Sequence, residues 1–65
     1  MTTGTVKYFN EEKFFGFIKS EGAGDVFFHI SEINGDDVMI ERGQKLGFEI
    51  SQSDRGPRAY NIVKL

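Results

Sequence analysis

Glycine recurs at positions 4, 16, 22, 24, 35, 43, 47 and 56 and divides the chain into short runs of β-branched and aromatic residues. That punctuation favours an all-β architecture, because glycine supplies turns while the runs between suit pleated strands. No window carries a convincing helical period. Five strands are predicted, over residues 3–10, 15–20, 25–29, 45–52 and 57–64. The polar turn Asn10-Glu11-Glu12-Lys13 joins the first two, Glu21-Gly22-Ala23-Gly24 the next two, and Ser53-Asp54-Arg55-Gly56 the last two. In the long connection after the third strand, turn-friendly Ser31 suggests one short helical turn over residues 30–33. There is no internal repeat, low-complexity run or linker, so a single domain is expected over residues 1–65.

Alternation sorts the side chains of these strands onto two faces. Val26 and Phe28 share one face of the third strand, and Phe27 and His29 the other. In the second strand Gly16 and Ile18 oppose Phe15 and Phe17, and in the fourth Leu46, Phe48 and Ile50 oppose Lys45, Gly47, Glu49 and Ser51. The expected core is Val6, Ile18, Val26, Phe28, Ile33, Leu46, Phe48, Ile50 and Ile62. Tyr60 shares parity with Ile62, which assigns it to packing. Phe14 is open: it either caps the barrel end or makes an accessory contact.

The chain has 65 residues and contains seven Phe and two Tyr. So short a chain buries only about 60% of the surface its unfolded form exposes. A net stability of no more than roughly 3–5 kcal/mol is expected, and with no cysteine there is neither a disulfide nor a thiolate metal site to raise it. Nine large rings cannot all be interior. If the second and third strands pair, Phe15, Phe17, Phe27 and His29 form one platform, which Tyr8 and Phe9 extend. Flat rings along a sheet suit stacking of successive unpaired bases, at about 1–3 kcal/mol per base. A duplex hides those base faces, so the expected ligand is single-stranded RNA or DNA.

The formal net charge of −2 argues against a general polyanion binder, so any attraction for phosphates must be local. Lys7 and Lys13 flank the first turn, Lys19 ends the second strand, and Arg55 and Arg58 bracket Gly56-Pro57. The acidic residues mostly occupy other turns, among them Glu11-Glu12, Asp36-Asp37 and Glu41. With three or four phosphates engaged, log K should fall with log salt by about 0.7 per phosphate. Lys7 and Lys13 are the strongest candidates, and Lys45, Arg42 and Lys64 the weakest.

Other classes are disfavoured. No apolar run approaches the roughly 20 residues of a membrane span, and the first residues lack the pattern of a signal peptide, so a cytoplasmic location is expected. His29, the only histidine, has no nucleophile at a spacing that suggests a triad. Its place beside Phe27 assigns it to base contact. No catalysis, metal, cofactor, small-molecule substrate or membrane partner is expected, and a monomer is favoured.

At these residues the sequence resembles the cold-shock domain family over essentially its whole length. Gly4-Thr5-Val6-Lys7-Tyr8-Phe9-Asn10 resembles the family's opening strand. Lys13 to Ile18 is similar to its first RNA-binding motif, K-G-F-G-F-I, and Val26 to Ile30 to its second, V-F-V-H-F. Asp25, Ser31, Gly43-Gln44 and Arg55-Gly56-Pro57 also fall in register. The resemblance implies a five-stranded antiparallel barrel of the oligonucleotide-binding (OB) type. It further implies a protein that keeps RNA unstructured, as a cold-induced RNA chaperone or antiterminator. Its binding face maps to Lys7, Tyr8, Phe9, Lys13, Phe15, Phe17, Phe27 and His29. Asp25 is implied as an acceptor for base edges, and Arg55, Pro57 and Arg58 as the loop closing one end.

The sequence departs from the family pattern in five places. Tyr8 stands for Trp, Ile30 for a common Phe, Val38 lies near another usual Phe, Phe14 replaces glycine and Tyr60 a small residue. Fewer rings at 8, 30 and 38 imply weaker binding or a shorter footprint. A barrel that docks a protein partner on its aromatic patch is the alternative, since an exposed apolar patch serves either purpose.

Overall fold

The computed structural model describes residues 1–35 and 39–65. Its strands are β1 (Thr2–Asn10), β2 (Phe15–Ser20), β3 (Gly24–His29), β4 (Lys45–Ser53) and β5 (Gly56–Lys64), with a 3₁₀ turn at Ile30–Glu32. These bounds lie within a residue of the predicted ones throughout. The acidic pair Asp36-Asp37 and the position Val38, singled out above, lie outside the described residues.

The strands close into a barrel in the order β1-β2-β3-β5-β4. Local hairpins make the β1–β2, β2–β3 and β4–β5 seams, all antiparallel, and β1 returns to pair antiparallel with β4. The closing seam is the exception: β3 and β5 run parallel and meet at Phe27 and Arg58. A second parallel bridge, Ile33 to Ile62, continues that closure past the 3₁₀ turn. The expected five-stranded OB-type barrel is the observed one, with a parallel seam at its closure.

The core is what alternation demands of strands with one wet face. Phe28, Phe48, Ile18, Leu46, Ile62 and Val26 are fully buried, and Val6, Ile33, Ile40 and Ala59 complete the cluster. Ile50, expected inside, is only half-buried against its margin. Ala59 and Ile40 were not expected there. The displacement on β5 has a definite cause. Between the pairs Gly47–Val63 and Glu49–Tyr60 the register shifts by one residue. Asn61 adopts a left-handed φ of 50°, which Asn tolerates better than most residues. The bulge turns Ala59 and Ile62 inward together and leaves Tyr60 outside. The assignment of Tyr60 to packing is therefore corrected: it is 37% exposed.

A second bulge shapes β1. Val6 pairs with Ile18 and Tyr8 with Phe17, so Lys7 is the extra residue. Strict alternation would send Val6 and Tyr8 to the same side. The bulge resolves that conflict, burying Val6 while exposing both Lys7 and Tyr8.

Candidate nucleic-acid interface

The β2–β3 hairpin carries the rings. Phe15 pairs with His29 and Phe17 with Phe27, while between them Gly16 pairs with Phe28 on the buried side. A Cβ at Gly16 would strike the Tyr8 carbonyl and the Phe28 ring, so only glycine lets β1 and the core approach this strand. The outer rings then pack against one another. Centroid separations are 5.6 Å for Phe15–Phe27, 5.9 Å for Phe17–Phe27 and 6.4 Å for Phe15–Phe17. Tyr8 joins the group edge-on to Phe15 at 6.4 Å.

Mutual contact leaves Phe15 and Phe27 half-buried, whereas Tyr8 is 47% and Phe17 36% exposed. Phe9 lies apart from this group. Its ring stacks on Phe28, 6.0 Å between centroids and 14° between planes, and it packs against the core margin.

Polar groups ring the platform. The Lys7 ammonium donates to the Asp25 carboxylate at 2.8 Å, with both side chains about half exposed (57% and 48%). The bulge at Lys7 is what aims this side chain across the sheet, and an exposed pair of this kind contributes roughly 0–1 kcal/mol. Asp25 is therefore engaged with Lys7 and keeps further lone pairs able to accept hydrogen bonds.

His29 is tied to the chain that follows it. The Ser31 backbone N–H donates to His29 Nδ1 at 3.1 Å, capping the 3₁₀ turn. Because that nitrogen must accept, neutral His29 carries its proton on Nε2, which is left as a donor.

On β5 the Arg58 guanidinium meets the Glu32 carboxylate at 3.4 Å, on the neighbour of Phe27. Arg55 and Pro57 occupy the β4–β5 turn region, where Ser53 Oγ donates to the Gly56 carbonyl at 2.7 Å and accepts from the Arg55 N–H at 3.3 Å. Lys13 sits exposed in the β1–β2 turn, its N–H held by Asn10 Oδ1 at 3.1 Å. The structure thus gathers Tyr8, Phe15, Phe17, Phe27 and His29 on one face, with Lys7, Asp25 and Arg58 along its edges. Phe9 is turned toward the core, Lys13 and Arg55 stand in the turns, and Pro57 lies at the start of β5, paired with Gln52.

Residues 2–65 match the family described as the "'Cold-shock' DNA-binding domain". This chain belongs to the cold-shock domain family. It is 56% identical to "Cold shock protein CspA" of Staphylococcus haemolyticus (strain JCSC1435) over the full length of both chains. The protein of the same name from Staphylococcus aureus (strain USA300) gives the same identity and coverage. Among solved structures, drosophila Unr CSD456 superposes with a TM-score of 0.82 at 25% identity, over 98% of this chain and 26% of that one.

Against the cold-shock domain pattern, two rings stand out. Tyr60 borders a depression of about 280 Å³ with Glu32, Ser51 and Arg58, beside the β3–β5 seam. Phe14 is 52% exposed and has a φ of 60°. For a residue with a bulky Cβ substituent that left-handed conformation costs about 1–2 kcal/mol. Arg42, ranked low from sequence, lines a depression of about 400 Å³ together with Tyr8. No pattern in its own segment signals this, because the connection that carries it has no period. Among the described residues, no helix is long and apolar enough to cross a membrane.

Proposed function

We propose that this chain binds single-stranded nucleic acid by stacking unpaired bases on Tyr8, Phe15, Phe17 and Phe27. In this reading His29 offers its Nε2 proton to a base, and Asp25 accepts from base amino groups. Lys7, Lys13, Arg55 and Arg58 receive phosphates, with Pro57 shaping the loop beside them and Phe9, packed on Phe28 at the core margin, adding apolar surface beside Tyr8. The working role is that of a cytoplasmic, monomeric, single-domain RNA chaperone or antiterminator of the cold-shock type, tolerant of sequence because every base has a π-face.

The observation that carries the reading is the cluster of four rings turned away from a core that is already full. Phe17 and Phe27 contribute nothing to the fully buried set, yet they face each other in an uninterrupted register of β2 with β3. Membership of a nucleic-acid-binding family and the basic groups along the edge support the same conclusion.

The test uses the absence of tryptophan. Intrinsic tyrosine fluorescence reports on Tyr8, with Tyr60 as background, and Tyr8→Phe isolates the background. Oligothymidine should quench the Tyr8 signal, with log K falling by roughly 2–3 per tenfold rise in salt if three or four phosphates engage. No response up to millimolar oligonucleotide would sink the reading. Binding of a protein partner to the same rings would show little of that slope.

A further inference from the structure

We propose that Phe14 is an additional stacking residue, which receives one unpaired base beyond Tyr8 on an apolar floor made by Phe9, Ile30 and Ile40. The inference rests on the reading of the aromatic face given above and extends it to the end of the barrel.

The first observation is conformational. Besides Phe14, the described residues with left-handed backbone are Gly24, Gly35, Gly43, Gly56 and Asn61. Glycine adopts this region freely and Asn tolerates it, whereas a phenylalanine there is strained. The turn would close with less strain if Phe14 were glycine: its N–H donates to the Asn10 carbonyl at 2.8 Å and its carbonyl accepts from the Ile30 N–H at 2.9 Å, and neither bond involves the ring. Strained residues of this kind persist where the surrounding structure holds them, and they cluster at ligand-contact sites.

The second observation is exposure. More than half of the Phe14 surface meets solvent, so the ring is a poor plug for the barrel end. It stands instead as one wall of a depression of about 270 Å³ lined by Phe9, Glu11, Phe14, Ile30, Met39 and Ile40.

The third is continuity. The depression that Tyr8 borders is lined by Phe9, Glu11 and Ile40 as well, so the two form one track from Tyr8 to Phe14. Its charge pattern orients an occupant. Glu11, on the rim of both depressions, repels phosphate and accepts from base amino groups, whereas Arg42, beside Glu41, lines the Tyr8 side alone and attracts phosphate there. A strand crossing Tyr8 thus presents a base, rather than its backbone, to Phe14.

Three variants decide the matter: Phe14→Gly, Phe14→Leu and Phe14→Tyr. Each is titrated with an oligothymidine and with an oligocytidine of about eight nucleotides, within the span one OB-fold covers. Thermal unfolding is followed in parallel. Affinity should fall roughly fivefold or more in Phe14→Gly and Phe14→Leu, the low end of what one base–ring stack supplies, and be retained in Phe14→Tyr. Leucine is the informative case, since it keeps apolar bulk while losing the π-face. Unchanged affinity in Phe14→Leu overturns the proposal whatever the unfolding midpoint does. The control is Phe27→Ala. If wild type binds and Phe27→Ala weakens it while Phe14→Leu does not, only this inference fails. If wild type does not bind either oligonucleotide, the reading of the whole face fails with it.

Discussion

Phe27 and Phe28 are adjacent in sequence, share a strand and differ in nothing but the side of the sheet they face. Phe28 is fully buried and stacked by Phe9, while Phe27 lies in the outer cluster between Phe15 and Phe17. Residue type therefore does not separate the core from the outer ring cluster in this barrel. Parity does, and the pairing of β2 with β3 fixes that parity without interruption from Phe15–His29 to Ser20–Gly24.

The contrast can be broken most forcibly on the inner side. Phe28→Ala should cost about 3–5 kcal/mol, comparable to the entire stability of a domain this small, so calorimetry should find the variant largely unfolded. A cooperative transition near that of wild type would show that Phe28 does not anchor the core. On the outer side, Phe17→Ala and Phe27→Ala should each weaken oligonucleotide binding by about 1–3 kcal/mol. Their unfolding free energies should drop by only about 1 kcal/mol, the contribution of ring–ring contacts. Equal losses of stability in inner and outer variants would erase the distinction drawn here.

Smaller effects sharpen it. Asn61→Ala removes the short amide that makes the left-handed bulge of β5 tolerable and should destabilise by about 1 kcal/mol, with Asn61→Gly close to neutral in urea unfolding. Lys7→Gln should leave stability nearly unchanged, because its pair with Asp25 is exposed. It should flatten the salt dependence of binding by about 0.7 in log–log slope if Lys7 meets a phosphate.

The same comparison explains what was legible in the sequence. β2 and β3 alternate without a bulge, so Gly16, Ile18, Val26 and Phe28 could be assigned inward and Phe15, Phe17, Phe27 and His29 outward from spacing alone. β1 and β5 do not alternate strictly. The outward position of Tyr8 was expected from its place among the rings, but parity with Val6 argues against it, and only the bulge at Lys7 reconciles the two. On β5 no such cue exists: parity ties Tyr60 to Ile62 and assigns it to packing, and nothing in the spacing marks Ala59 as buried. Ile40 escaped because the connection before β4 has no period to read. The Lys7–Asp25 pair and the capping of the 3₁₀ turn by His29 depend on side-chain reach across strands, which spacing does not encode.

The most direct test of the central claim is a chemical-shift map of the wild-type chain titrated with oligothymidine. Aromatic resonances of Tyr8, Phe15, Phe17 and Phe27 should move together and saturably, with those of Phe28 and Phe48 shifting little because their rings face the core. Shifts confined to the outer surface of β4, or an absence of shifts on the four outer rings, would contradict it.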